Sequence, residues 1–283
     1  MLVAPLLIRR VDRGGFAVPT VAVTPQVAGW TYLAFRAYHL EPGETLAGQT
    51  GEFETGLVVL GGTCTVEAEG TRFASIGERP DVWAKTPPYA VLVPPGVEYE
   101  VRAESRLHLA VAGALAADLD PAPVTLIRPE DIHAEVRGEG RTYRYIQHIL
   151  PPSGASARLQ LVEVYTPAGN WSSFPPHKHD TEDPPREAYL EETYYYQITP
   201  EGGFALQRVY TDDGSLDEVF AVHSGDLVLV PKGYHPVAAM PGYDCYYLNA
   251  MAGPAKEWNF TVDPRYRWLM NWQKPGIAQS SRT

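Results

Sequence analysis

The chain has 283 residues, 45% of them apolar, so it can bury one large core or two of ordinary size. Its 34 acidic residues outnumber 23 basic ones, a formal charge of −11, which argues against a general nucleic-acid binder that must displace phosphate counterions with a basic surface. No run suggests a membrane span, and the two cysteines, Cys64 and Cys245, lie far apart and match no zinc spacing.

Met1 to Leu7 is apolar, but Arg9, Arg10 and Asp12 come after it. A secretory signal carries its positive charge before the apolar stretch, so no targeting segment is expected and a reducing cytoplasm is the expected compartment. With 26 prolines and 25 glycines, and few segments of clean helical period, the chain reads as mostly β, built from short strands. In chain order the strand-like runs include Trp30 to Tyr38, Gly56 to Ala68 and Ala90 to Val93. A polar stretch of helical or irregular character, about Arg128 to Tyr145, follows. Then come Arg158 to Tyr165, Thr193 to Thr199 and Leu227 to Val230.

The runs before and after the polar stretch look like two copies of one unit. Tyr38-His-Leu-Glu-Pro-Gly43 resembles Tyr165-Thr-Pro-Ala-Gly169 at an offset of 126. Glu54-Thr-Gly resembles Glu192-Thr-Tyr at an offset of 138, and Val93-Pro-Pro-Gly-Val-Glu98 resembles Val230-Pro-Lys-Gly-Tyr-His235 at 137. An insertion rich in proline and acid, Asp180 to Leu190, accounts for the jump. A duplicated, turn-rich antiparallel unit of about 100 residues suits a jelly-roll β-sandwich of the cupin kind, with a single larger sandwich as the rival. The expected fold is therefore all-β, a bicupin. Residues 1–125 form an N-terminal degenerate cupin, 126–150 a connecting segment, and 151–283 a C-terminal metal-binding cupin with an extension.

The chemistry concentrates in the second copy. On a strand, residues two apart share a face, so His177 and His179 project together and Lys178 points the other way. An acid, Glu191 or Glu192, heads the next strand, and His235 follows a proline–glycine turn after a third. Three imidazoles and one carboxylate suit zinc, manganese, iron, cobalt or nickel and leave coordination positions open. In the first copy the corresponding positions are Gly51, Phe53 and Glu98, so only Glu54 survives and no metal is expected there.

The segments Phe174-Pro-Pro-His-Lys-His-Asp180, Glu191-Glu-Thr-Tyr-Tyr-Tyr196, Gln207-Arg-Val-Tyr-Thr-Asp-Asp213, Pro231-Lys-Gly-Tyr-His-Pro236 and Tyr246-Tyr-Leu-Asn-Ala-Met-Ala-Gly-Pro254 resemble the 5-deoxy-glucuronate isomerase family of inositol catabolism. The resemblance is specific over about Phe174 to Trp268 and one of layout before that. A more distant likeness is to 5-keto-4-deoxyuronate isomerase of pectin breakdown, whose motif is shorter between the second histidine and the glutamate. The resemblance implies a bicupin with a divalent metal, zinc first, on His177, His179, Glu192 and His235. It implies an aldose–ketose isomerisation of 5-deoxy-D-glucuronate to 5-dehydro-2-deoxy-D-gluconate.

In such a reaction a proton leaves the carbon beside the aldehyde and another arrives at the aldehyde carbon. The enediolate between them needs electrostatic stabilisation. Glu191, Tyr194 and Tyr196 are the candidates for proton transfer, the two tyrosines because period two puts them on the face of Glu192. Arg208, by parity with Phe204 and Leu206, and Lys232, in the turn before His235, are candidates for the substrate carboxylate. Gln207, Asn249 and Tyr247 match family motif positions and are expected to support the substrate site. The expected partner is a small sugar acid, with no nucleic acid or membrane, and the protein is expected to be a homo-oligomer. The competing functions are a metal-dependent cupin dioxygenase, which stops under nitrogen, and a non-enzymatic sugar-binding bicupin.

Overall fold

The structure, a computed structural model, describes residues 5–12 and 17–271. In the first half a six-stranded sheet that includes Leu33–Leu40, Phe53–Gly61, Ala90–Val93 and Leu107–Leu115 faces a four-stranded sheet of Thr45–Gln49, Glu98–Ala103, Cys64–Ala68 and Thr71–Ile76. In the second half a seven-stranded sheet built on Gln160–Thr166, Glu191–Thr199, Leu227–Val230 and Asp244–Ala252 faces a four-stranded one. That smaller sheet holds Trp171–Ser172, Val237–Ala239, Ala205–Tyr210 and Asp217–Val222. The molecule is thus two antiparallel jelly-roll sandwiches in tandem, the bicupin layout.

Three apolar cores explain why the strongest strands carry no simple alternation. Leu57, Val59, Val66 and Val101 fill the first sandwich, and Tyr194, Tyr196, Val209 and Tyr247 the second. A third core, with Phe35, Val58, Leu92, Tyr195, Leu227 and Leu248, lies where the two large sheets pack back to back. Their strands are buried on both faces, so Ala90–Val93 and Leu227–Val230 read as unbroken apolar runs. Each fully buried leucine there contributes about 1.5–3 kcal/mol relative to exposure. Cys64 and Cys245 are buried, unpaired members of these sandwiches.

Two features depart from the sequence expectation. The polar stretch is largely strand: His133–Arg137 and Arg144–Leu150 pair with each other and then with Gln160–Thr166. Only short 3-10 turns at Pro129–Asp131 and Gly140–Thr142 interrupt it. Residues 133–150 are thus woven into the second sandwich at its edge, where a strand needs only one apolar face and can look polar in sequence, while Thr125–Ile127 still pairs with Ala90–Val93 of the first. The chain start crosses over as well, since Leu7–Ile8 pairs with Leu227 and Val228 of the second half. Among the described residues no helix is long and apolar enough to cross a membrane.

Candidate metal centre

Three strands of the second sandwich and one turn bring the candidate ligands together. His177–Lys178 is a two-residue strand held against Thr261–Val262, and His179 follows it directly. Glu192 pairs with Val230 on one side and Met251 on the other, on the inward face that also carries Tyr194 and Tyr196. His235 is placed by the Pro231-Lys-Gly233 turn. Gly233 sits at φ +87°, where a Cβ would stand 2.3 Å from the Tyr210 carbonyl oxygen, and Tyr234 exchanges backbone hydrogen bonds with Tyr210 at 3.0 and 2.8 Å.

The ligand atoms of His179, Glu192 and His235 lie within 4.8 Å of one another, and all three residues are buried. Glu192 Oε2 is 3.0 Å from His179 Nε2 and 3.2 Å from His235 Nε2. The His177 ring stands edge-on to His235 with centroids 4.9 Å apart, but its nitrogens fall outside that tight triad. Each imidazole is oriented by the same device. His177 Nδ1 is 3.1 Å from the Pro175 carbonyl, His179 Nδ1 is 3.1 Å from that of Leu190, and His235 Nδ1 is 2.9 Å from that of Gly233. A carbonyl accepts, so each Nδ1 must donate, and the bare Nε2 of each ring is the atom left to bind.

That arrangement fits a cation. Two Nε2 lone pairs converge on a carboxylate in a buried site, and His235 Nε2 makes no aligned hydrogen bond. Only a proton or a metal ion between the acceptors relieves them, and three nitrogens with one oxygen are a donor set for a divalent transition metal. The charges point the same way. Burial alone would raise the Glu192 carboxyl, but His235 and His179 outweigh it and hold the group at about 2. Burial, with His235 and His179 nearby, pushes His177 down to about 3, so it stays neutral. Burial also disfavours charge on His179, but its contact with Glu192 raises its proton affinity above the ordinary value.

The remaining candidates divide sharply. Tyr194 lies edge-on to His235, centroids 5.8 Å apart, with its hydroxyl 3.1 Å from Ser173 Oγ. Tyr196 donates to Gln207 Oε1 at 2.7 Å, and Gln207 Nε2 reaches towards the His235 carbonyl at 3.5 Å. Tyr247 packs on Tyr194 and Tyr196, while Asn249 donates to the Thr193 carbonyl at 3.4 Å.

Three candidates turn elsewhere. Glu191, on the opposite face from Glu192, accepts the backbone N–H groups of Thr31, Tyr32 and Leu33 at 2.7–2.9 Å, so it belongs to the junction between halves and not to the centre. Arg208 was expected to face inward with Leu206, but Leu206 is 42% exposed and the inward residues of that strand are Ala205, Gln207 and Val209. The Arg208 guanidinium lies outside, paired with Asp217 at 2.7 Å through two bonds and stacked on Tyr210. Lys232 is exposed and donates to Ser215 Oγ at 3.2 Å.

Sequence patterning missed two residues that shape the centre. Asp180 accepts the Gly233 N–H at 2.8 Å and so ties the His179 loop to the His235 turn, while Glu187 orders the insertion by accepting the N–H groups of Asp180 and Thr181. Only its richness in proline and acid and the jump in repeat spacing marked that insertion. A cavity of about 670 Å³ opens beside His177, walled by Arg137, Arg144, Phe174, Trp258 and Phe260.

The chain is 52% identical over 250 residues to the 5-deoxy-glucuronate isomerase of Geobacillus thermodenitrificans, covering 88% of this chain and 90% of that protein. It is 46% identical over 222 residues to the protein of the same name from Lacticaseibacillus casei, covering 78% and 81%. The crystal structure of an IolB-like protein from Salmonella typhimurium superposes with a TM-score of 0.91 at 45% identity, covering 94% of this chain and 100% of that one. An oxalate decarboxylase of Lactobacillus farciminis shares the fold alone, with a TM-score of 0.64 at 13% identity over 96% of this chain and 91% of that one. The KduI/IolB family model matches residues 6–269, and the chain belongs to that family.

Proposed function

We propose that this protein converts 5-deoxy-D-glucuronate to 5-dehydro-2-deoxy-D-gluconate, an aldose–ketose isomerisation of myo-inositol catabolism, at a divalent cation held by His177, His179, Glu192 and His235. The observation that carries the proposal is the convergence of Nε2 atoms on the Glu192 carboxylate, in a chain about half identical to a protein named for that reaction. The reaction moves one hydrogen from the carbon beside the aldehyde to the aldehyde carbon and consumes no oxidant. A divalent cation bound there supplies Lewis-acid stabilisation of negative charge developing on the substrate oxygens, and zinc suffices because no redox change is required of it.

The protein's own groups do the rest. The Pro175, Leu190 and Gly233 carbonyls fix the three imidazoles before substrate arrives, so no reorganisation is needed at the moment of reaction. Burial holds the Tyr194 phenol well above its ordinary range, with the Glu192 charge adding to the effect, so at neutral pH it is a hydrogen-bond donor to substrate oxygen and not a base. Tyr196 and Gln207 brace the segment that carries His235. The cavity beside His177 has the size of a small-molecule site and gives the sugar acid its way in. The first half serves in this reading as a metal-free scaffold, and the enzyme works in the cytoplasm.

The test is turnover of 5-deoxy-D-glucuronate under nitrogen, followed by nuclear magnetic resonance, with and without a chelator. The expected result is ketose formation that needs no oxygen, stops on chelation and returns with added zinc. Turnover that requires oxygen would instead make the protein a dioxygenase, and absence of any turnover by the metal-loaded protein would leave it a binding module.

A further inference from the structure

We propose that Arg144 receives the carboxylate of the sugar-acid substrate, on the wall of the same cavity that His177 lines. The proposal rests on the isomerase reading above, which requires an anionic group of the substrate to be held while its aldehyde end reacts.

Three arginines of the described chain are buried: Arg79, Arg144 and Arg158. Arg79 is paired with Glu163 at 2.9 Å and Arg158 with Asp118 at 3.0 Å. Arg144 makes no ion pair among the described residues. Its Nη1 donates to the Thr142 carbonyl at 3.0 Å and its Nη2 to the Phe174 carbonyl at 2.9 Å. Those neutral acceptors use two of its five N–H groups and fix its plane, but they leave its charge uncompensated. A buried cation without a counter-ion is costly, and a carboxylate is the ligand whose geometry and charge complete it.

The placement agrees. Arg144 has the parity of Ile146, whose side chain packs in the core with Tyr194, Tyr196 and Tyr247, so the guanidinium faces the sandwich that holds the metal ligands. Gly138, at φ +80°, brings its backbone against the group, and a Cβ there would lie 2.8 Å from Nη1. Across the ladder, Arg137 pairs in register with Arg144 and also lines the cavity, but its charge is taken up by Glu135. Phe174, whose carbonyl holds Arg144, is three residues from His177 in the same wall. One end of a sugar acid can therefore meet the imidazoles while the other meets the guanidinium.

The experiment compares metal-loaded wild type, Arg144→Lys and Arg144→Met on 5-deoxy-D-glucuronate and on its carboxamide, with metal content measured in each. Arg144→Met is expected to raise KM for the acid by about 100-fold, the size expected for loss of a charge-assisted bond, and to change kcat/KM for the carboxamide by less than about threefold. Arg144→Lys should fall between. Equal losses on acid and carboxamide would mean that Arg144 only props up Phe174, and an unchanged KM would also overturn the proposal. A crystal structure of wild type with D-gluconate tests it without any variant: the carboxylate should lie on the Arg144 guanidinium, and its placement elsewhere would overturn the assignment. If wild type turns over neither compound yet binds D-gluconate on Arg144 and not D-glucitol, the isomerase reading fails and the anion site stands.

Discussion

Glu54 and Glu191 make the same contact in opposite directions between the two halves of the molecule. Glu54 accepts the backbone N–H groups of Ala157, Arg158 and Leu159, which lead into the strand Gln160–Thr166 of the second sandwich's large sheet. Glu191 accepts those of Thr31, Tyr32 and Leu33, which lead into the equivalent strand of the first. The three donors differ by 126 in number and the two acceptors by 137, the spacings that mark the sequence repeat. Strand register agrees, because Thr55 pairs with Val93 as Glu192 pairs with Val230. Glu54 is therefore the counterpart of Glu191, not of Glu192 as the 138 offset suggested, and the metal ligand corresponds to Thr55.

From this follows a prediction about stability. Glutamine keeps one accepting oxygen where glutamate has two, so Glu54→Gln or Glu191→Gln strands at least one buried N–H. Each substitution should cost about 1–3 kcal/mol in urea unfolding. Glu191→Gln should keep its metal and a kcat within about threefold of wild type once folded. Unchanged stability with lost turnover would return Glu191 to the role of catalytic base.

What the sequence disclosed was whatever depends on period two or on local turns. His177, His179 and the Pro-Lys-Gly-Tyr-His235 turn could be seen because a strand's alternation and a glycine at positive φ are local rules. Which of two adjacent glutamates faced inward was not local, because Glu191–Thr199 is buried on both faces and carries no polar side to orient it. Arg208 was misjudged because Leu206, used to set its parity, lies exposed on the outer face of a four-stranded sheet. Arg144 drew no notice, since its stretch lacks apolar rhythm and one of its two carbonyl partners, Phe174, is 30 residues away in the chain.

Removing one centre ligand at a time should give a graded result. His179→Ala, Glu192→Ala and His235→Ala each delete a member of the tight triad and should lose metal, measured by elemental analysis, together with turnover. His177→Ala deletes the ring that stands apart from the triad and should weaken retention without abolishing it. Equal metal content in all four variants would show that the ion sits elsewhere.

Gln207 should act through Tyr196 and His235. It is fully buried, and Gln207→Leu leaves the Tyr196 hydroxyl without its acceptor at a cost of about 1–3 kcal/mol. Replacing both partners, in Gln207→Leu with Tyr196→Phe, removes the orphan and should recover much of that loss in unfolding experiments. Metal affinity, read by competition with a chelator, should fall about tenfold in the single variant because the His235 segment loses its brace. A double variant as unstable as the sum of the two single ones would show that the contact carries no weight.

Asp263 should govern part of the acid stability of the centre. It is fully buried, it accepts the Tyr210 hydroxyl and an Arg265 N–H, each at 2.7 Å, and its own N–H donates to the Pro176 carbonyl at 2.9 Å. Its neighbour Val262 pairs with His177, so the clamp holds a ligand strand in place. Burial alone would raise this carboxyl, yet the bonds from Arg265 and Tyr210 win and hold it below the usual aspartate range. The folded protein therefore takes up this proton less readily than the unfolded chain does. Its contribution to stability is complete above the unfolded value of about 3.9 and drains away as pH falls through the folded one. The gap in stability between wild type and Asp263→Asn should be constant from neutral pH down to about 5 and narrow below about 4. Urea titrations at a series of pH values measure that gap, and one that stays the same at pH 3 as at pH 7 would show that Asp263 contributes through packing and not through its charge.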